Sequence, residues 1–152
     1  LVHASAGVLD GLSWLMPGPS GTGKSTAING GFDKILSDER VIISRHQNEY
    51  RVWGTPFWSD GRQWPLDASS NPIAGVIKLV KSKTTSRRPF STINMVEWVM
   101  RSIVMYGDSA PDTGHIMAFI VDMVESIECI QVSFPKEGSW ASSTLSQIGL
   151  AS

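Results

Sequence analysis

Eight consecutive residues, Gly18-Pro19-Ser20-Gly21-Thr22-Gly23-Lys24-Ser25, carry the spacing G-x-x-x-x-G-K-[ST] in full. The residue types say what such a run does. Glycines let successive backbone N–H groups curl around an anion, and the start of a following helix adds its positive end. Lys24 is long enough to reach the terminal phosphates of a nucleotide, and the Ser25 hydroxyl completes the shell of a Mg²⁺ ion. Thr26 follows in the first helical turn. The run sits between an apolar strand and a helix, a context that favours binding of ATP or another polyphosphate over a simple Gly-rich turn. Holding a phosphate is not yet moving it.

Transfer needs a group that orients or deprotonates the nucleophile, and carboxylate help for the metal. Asp38-Glu39, at the polar break of "ILSDERVII", is the nearest candidate. Adjacent side chains on a strand point to opposite faces, so only one of the two acids can aim at the Ser25 metal unless the backbone bends there. Asp122 ends an apolar "MAFIVD" run and imitates a metal-side carboxylate. The apolar positions continue past it to Val124 and Ile127 at helical spacing, which makes it a solvated helix residue beside Glu125. His3 stands just upstream of the loop; His46 and His115 read as loop or helix-cap residues. Lys81, Lys83, Arg87 and Arg88 form a basic stretch able to meet a phosphate or an acidic substrate, read here as a solvated connector.

Several elements must position these groups. "LVHASAGVLDGLSWLMPG" predicts two strands around an Asp10-Gly11 turn, the second (Leu12 to Met16) running into the loop. A helix begins near Lys24 and is stopped by Asn29-Gly30-Gly31 after little more than one turn. "KILSDERVII" predicts a strand with charge at a bend, "YRVWGTPFW" a strand leading into a loop, and "IAGVIKLV" a buried strand. "KSKTTSRRPFS" is a polar connector. Ile93 to Tyr106 is predicted helical, with Val96, Val99, Met100, Ile103 and Val104 on one stripe and Gly107 at its end. His115 to Ile127 is a second helix, "CIQVSF" a last strand, and the small-residue tail is compatible with helix. The order points to α/β with a mixed sheet in a single domain, 1–152.

The bulk composition excludes some classes. The 152 residues suffice for one buried core, and 41% hydrophobic with 18% charged residues is an ordinary globular balance. A net charge of -1 leaves no basic footprint for nucleic acid and no reason to expect a membrane surface. No apolar run is long enough to span a bilayer. Cys129 is the sole cysteine, so no internal disulfide forms, in keeping with a reducing cytoplasm. The chain opens at Leu1 rather than Met and shows no signal-peptide pattern, and upstream residues are not excluded. Trp53, Trp58 and Trp64, beside Asp60 and Arg62, either line an acceptor site or pack on the sheet.

Taken together, "HASAGVLDGLSWLMPGPSGTGKST" followed by "KILSDERVII" resembles the HPr kinase/phosphorylase family and its HPr-kinase-like relatives. That family has a His on the strand before the loop, a G-x-S-G-x-G-K-S loop, and a D-[DE]-x-V strand soon after. His3, Gly18 to Ser25, and Asp38-Glu39-Arg40-Val41 match in order. "VWGTPFW" and "PIAGVIKLV" are similar to the G-T-P-W segment and following strand of the smaller members. The specific match covers about the first half of the chain.

The resemblance implies a P-loop core related to that of ATP-dependent phosphoenolpyruvate carboxykinase. It also implies phosphate transfer from ATP, with Mg²⁺, to a serine hydroxyl of a protein or peptide. By position, Asp38 would be the base facing the serine, Glu39 its acidic neighbour, placed with Ser25 at the metal, and His3 a partner near the transferring phosphate. The residues alone leave open which acid is the base. The loop-to-acid segment is shorter than in the bifunctional enzymes, and their basic, Pro- and Gly-containing signature after the core is not visible. The resemblance therefore does not extend to the phosphorylase reaction, to HPr itself or to the hexamer, and a homo-oligomer stays open. Other readings of the loop are a small-molecule kinase, nucleotide or metabolite, and a nucleotide-binding regulator without transfer. A regulator would not require both acids.

Overall fold

A computed structural model describes residues 1–58, 69–105, 112–135 and 148–150. Strands β1 (Val2–Leu9) and β2 (Leu12–Pro17) form the predicted hairpin, Leu9 opposite Leu12. Asp10 (φ 51°) and Gly11 (φ 77°) both adopt the left-handed conformation that a two-residue hairpin turn demands. The turn is pinned from outside, because the Asp33 carboxylate accepts the Asp10 N–H at 2.9 Å. Helix α1 is Lys24–Ile28, five residues, ending at Asn29 as its sequence requires.

"KILSDERVII" is two strands rather than one, β3 (Lys34–Ser37) and β4 (Arg40–His46), separated by a bend at Asp38-Glu39. Both pair antiparallel with β1. β5 (Glu49–Trp53) returns antiparallel to β4. β6 spans Ser70–Ser82, thirteen residues, extending the apolar run in both directions. It pairs antiparallel with β5 and parallel with β2, so the path β2-β1-β4-β5-β6 closes back on β2. β8 (Glu128–Pro135) lies parallel to β6, in register Ile77 to Ile130. Among the described residues the molecule is thus mixed α/β with a mixed eight-stranded sheet.

Further predictions need correction. The polar connector contains a strand, β7 (Ser86–Pro89), antiparallel to β8 at the end of the strand order. Its Arg87 guanidinium engages the Glu128 carboxylate and donates to the Ile148 carbonyl at 2.8 Å, while Arg88 donates to Gln131 Oε1 at 2.9 Å. Both arginines are thus cross-strand partners; Arg87 is half-buried, while Arg88 keeps the exposure expected of a solvated connector. Helix α2 is Thr92–Met100, shorter than the predicted Ile93 to Tyr106. Beyond it the backbone is claimed by the start of the chain: Ser102 O accepts the His3 N–H at 2.7 Å and Leu1 O accepts the Val104 N–H at 2.9 Å. Ile103, which bridges to Val2, and Val104 therefore leave the helical stripe. Tyr106, Gly107, Asp60, Arg62, Trp64 and most of the small-residue tail lie outside the described residues.

Helix α3 (Thr113–Ser126) is capped by Asp112, whose carboxylate accepts the His115 N–H at 3.1 Å. It buries Ile120, Met123 and Val124 beside Met95, Val96 and Val99 of α2, against Ala4, Ala6, Val41 and Val52 of the strands. Asp122 is an exposed residue of α3 but not merely solvated, since it binds Arg45 at 2.6 Å and the Tyr50 hydroxyl. A second apolar cluster joins Ala27 and Ile28 of α1 to Ile77 and Leu79 of β6 and to Ile130, Val132 and Phe134 of β8. Among the described residues, no helix is long and apolar enough to cross a membrane.

Candidate active site

β2 delivers the chain into the Gly18–Ser25 turn, where Gly18, Gly21 and Gly23 take φ of 151°, 82° and 100°. Only glycine adopts such values without strain, which is why the turn can wrap so tightly. The ring of Trp98, on α2, props its first residue: the indole N–H donates to Pro17 O at 2.8 Å, and a Cβ at Gly18 would lie 3.1 Å from the ring. Lys78 of β6 in turn stands 4.7 Å over the Trp98 ring and 4.5 Å over that of Phe90. Gly23 is seated on Phe134 of β8, whose ring would be 2.4 Å from a Cβ there.

Lys24 begins α1 and is buried. Its ammonium donates to Gly18 O at 2.7 Å and Pro19 O at 3.0 Å. Burial lowers its pKa, and the carboxylates of Glu39 and Asp38 oppose that shift. The charge therefore sits in a partly desolvated place with two carboxylates close enough to influence it. With only five residues, α1 contributes little aligned dipole, so the turn's own N–H groups and Lys24 dominate any attraction for an anion.

The acids arrive by way of the bend. Asp38 is 3% exposed and Glu39 follows it directly. The Ser37 hydroxyl accepts the N–H groups of Glu39 (3.2 Å) and Arg40 (3.1 Å) and donates to Phe57 O (3.2 Å). Ser5 of β1 donates to Asp38 O at 2.9 Å, and Thr55 donates to Arg40 O at 2.6 Å. Three buried hydroxyls thus hold the chain off the strand path, which releases both acids from the alternation that would have sent them to opposite faces.

The result is a cleft of about 430 Å³. The turn and α1 contribute Ser20, Gly21, Gly23, Lys24, Ser25 and Thr26; β1 contributes His3, and the bend contributes Asp38 and Glu39. Gly18, Pro19 and Thr22 do not line it. They hold the turn instead, through the two carbonyls on Lys24 and the Thr22 hydroxyl bonded to Pro19 O at 3.0 Å. His3 Nε2 lies 3.6 Å from Glu39 Oε1, beyond hydrogen-bond length. Burial first, then Lys24 and more weakly Arg40, lower the His3 pKa, with Glu39 pulling the other way. At neutral pH the neutral form of the imidazole therefore predominates.

Sequence reasoning missed Ser5, Ser37, Thr55 and Trp98, none of which belongs to a motif. It weighed Lys81 for a phosphate but read it as solvated, and it missed Phe134; these two, at the ends of β6 and β8, complete the described lining. Their signal was weak: Lys81 lies just past an apolar run, in a stretch that reads as solvated. His46 ends β4, exposed, and His115 is paired with Asp112 at 2.8 Å, so neither reaches the cleft. Compared with protein-family models, with curated proteins and with solved structures, the chain matches none of them.

Proposed function

We propose that the chain is an ATP-dependent kinase of the HPr-kinase-like type, built on a P-loop core, that transfers the terminal phosphate to a serine hydroxyl of a protein or peptide in the cytoplasm. The observation that carries this reading is the meeting of Asp38 and Glu39 with Lys24 and Ser25 in one cleft. A regulator that only senses a nucleotide has no need of two carboxylates there.

The donor set fits the groups this chemistry needs. The glycine turn offers backbone N–H groups and Lys24 for the phosphates, and a phosphate would compete with the Gly18 and Pro19 carbonyls for the ammonium. Ser25 and Glu39 offer a hydroxyl and a carboxylate, the hard oxygen ligands that Mg²⁺ prefers. Among the described residues no group of three or more His, Cys, Asp or Glu is arranged to hold a metal. Phosphate oxygens would complete the shell, the usual arrangement for Mg²⁺ in phosphoryl transfer, where the ion offsets charge on the reacting group.

Asp38 accepts the proton of the serine hydroxyl as its oxygen attacks the terminal phosphorus, and ADP leaves as the bond to the bridging oxygen breaks. Neutral His3 adds no repulsion to Lys24 and can accept or donate a hydrogen bond beside Glu39. The test is γ-labelled ATP with serine-containing peptides, followed by mass spectrometry of the labelled residue. Phosphoserine supports the reading. Label on GMP or a sugar overturns it in favour of a small-molecule kinase, and no label anywhere favours the regulator.

A further inference from the structure

Lys81 occupies a place that neither the loop motif nor the acid pair accounts for. Along β6, alternate side chains share a face, and Ile77 and Leu79 pack with Ala27 and Ile28 of α1. Lys81 is the next residue on that face, so it emerges where α1 begins, at the level of Lys24. Its register partner on the parallel strand β8 is Phe134, the same ring that seats Gly23. Lys78, by contrast, is on the other face and is committed to the rings of Phe90 and Trp98. Lys81 is exposed, lines the cleft, and has no ion-pair or hydrogen-bond partner among the described residues.

The charge balance of the cleft says what such a cation is for. Lys24 is held by two turn carbonyls and faces two carboxylates, while His3 is predominantly neutral. A terminal phosphate approaching Asp38 and Glu39 brings more negative charge to the cleft than Lys24 and the Mg²⁺ of the proposed chemistry offset. A second ammonium on the β6 side offsets it. We propose that Lys81 is a phosphate-binding residue that contacts the oxygens of the nucleotide's terminal phosphate, the group that moves. The inference rests on the kinase reading and adds a residue to it.

A contact with the terminal phosphate discriminates ATP from ADP, which gives a readout separate from activity. Dissociation constants for both nucleotides with Mg²⁺ are measured by calorimetry on the wild type, Lys81→Met and Lys81→Arg. Loss of a charge-assisted hydrogen bond weakens ATP binding by on the order of tenfold or more in Lys81→Met. ADP binding stays within about twofold, and Lys81→Arg recovers most of the ATP affinity by keeping the charge. Equal weakening for both nucleotides, or no change for either, overturns the assignment while leaving the kinase reading intact. A wild type that binds neither nucleotide overturns both. Unchanged thermal melting of both variants excludes misfolding as the cause.

Discussion

The hydroxyl of Ser37 accepts the backbone N–H of Glu39 at 3.2 Å, and that bond turns a strand into a bend. A hydroxyl two residues before the N–H it binds gives the backbone an alternative to the ladder. Without it, β3 would run into β4 and Asp38 and Glu39 would point apart. Ser37→Ala removes one donated and two accepted hydrogen bonds at a buried site. The expected cost is ~1–3 kcal/mol of stability, from stranded N–H and C=O groups, read by chemical denaturation. Nucleotide affinity should fall less than phosphoryl transfer, because the turn itself does not depend on Ser37. A fully active Ser37→Ala would show that the bend is held by other means.

Asp38 and Lys24 separate the two halves of the proposed chemistry. Asp38→Asn keeps the shape but removes the base, so transfer should drop by ~10²–10⁴-fold while nucleotide affinity stays close to wild type. Lys24→Ala removes the ammonium from the turn and should abolish both binding and transfer. If Asp38→Asn transfers at the normal rate, the base lies elsewhere, with Glu39 the next residue to substitute.

Much of this arrangement was legible in the sequence, for a physical reason. Asp10-Gly11 requires a tight hairpin, Gly30-Gly31 stops α1, and the loop spacing is local, so short-range chemistry decides all three. What was hidden depends on partners remote in the chain. β7 has no apolar alternation; it is a strand because Arg87 and Arg88 reach Glu128 and Gln131 some forty residues away. α2 ends early because Leu1 and His3 take the backbone of residues 102–104. The bend under Asp38 and Glu39 relies on Ser5 and Thr55 as well as on Ser37. Lys81 becomes a lining residue only because β6 continues to Ser82, past the last apolar position.

His3 supplies a pH prediction. Its pKa lies below the ordinary 6.5, mainly through burial and then through Lys24. The unfolded chain therefore binds the proton more readily than the folded one. By linkage, the His3 contribution to stability is complete above pH 6.5 and is lost as pH falls through 6.5 towards the lower folded value. An NMR titration of the imidazole should give a midpoint below 6.5. Glu39→Gln should lower the midpoint further and Lys24→Met should raise it. Opposite shifts would contradict the electrostatic arrangement of the cleft.

Cys129 should be unreactive. Burial, with help from Glu128, pushes its thiol pKa up to about 11, and the thiol faces the carbonyls of Val124 (3.5 Å) and Ile127 (3.9 Å). At pH 8 the thiolate fraction is then roughly one in a thousand, so alkylation by iodoacetamide should run about a hundredfold slower than for a free cysteine. Labelling at the rate of a free thiol would show the site opens readily.

The contact between Gly23 and Phe134 makes the turn's geometry measurable. Gly23 has φ 100°, and a Cβ there would lie 2.4 Å from the Phe134 ring, itself only 4% exposed and unable to move aside freely. Gly23→Ala therefore suffers twice, from left-handed backbone strain of ~1–2 kcal/mol and from overpacking of ~1–3 kcal/mol. Phe134→Leu leaves room for the added methyl and relieves the second penalty but not the first. A double-mutant cycle by denaturant unfolding should show Gly23→Ala costing less in the Phe134→Leu background than alone, a favourable coupling of ~1 kcal/mol or more. Strict additivity would mean the ring does not seat the turn. Nucleotide affinity should drop in Gly23→Ala in both backgrounds, because the backbone strain that displaces the N–H groups next to Lys24 persists when the clash is gone.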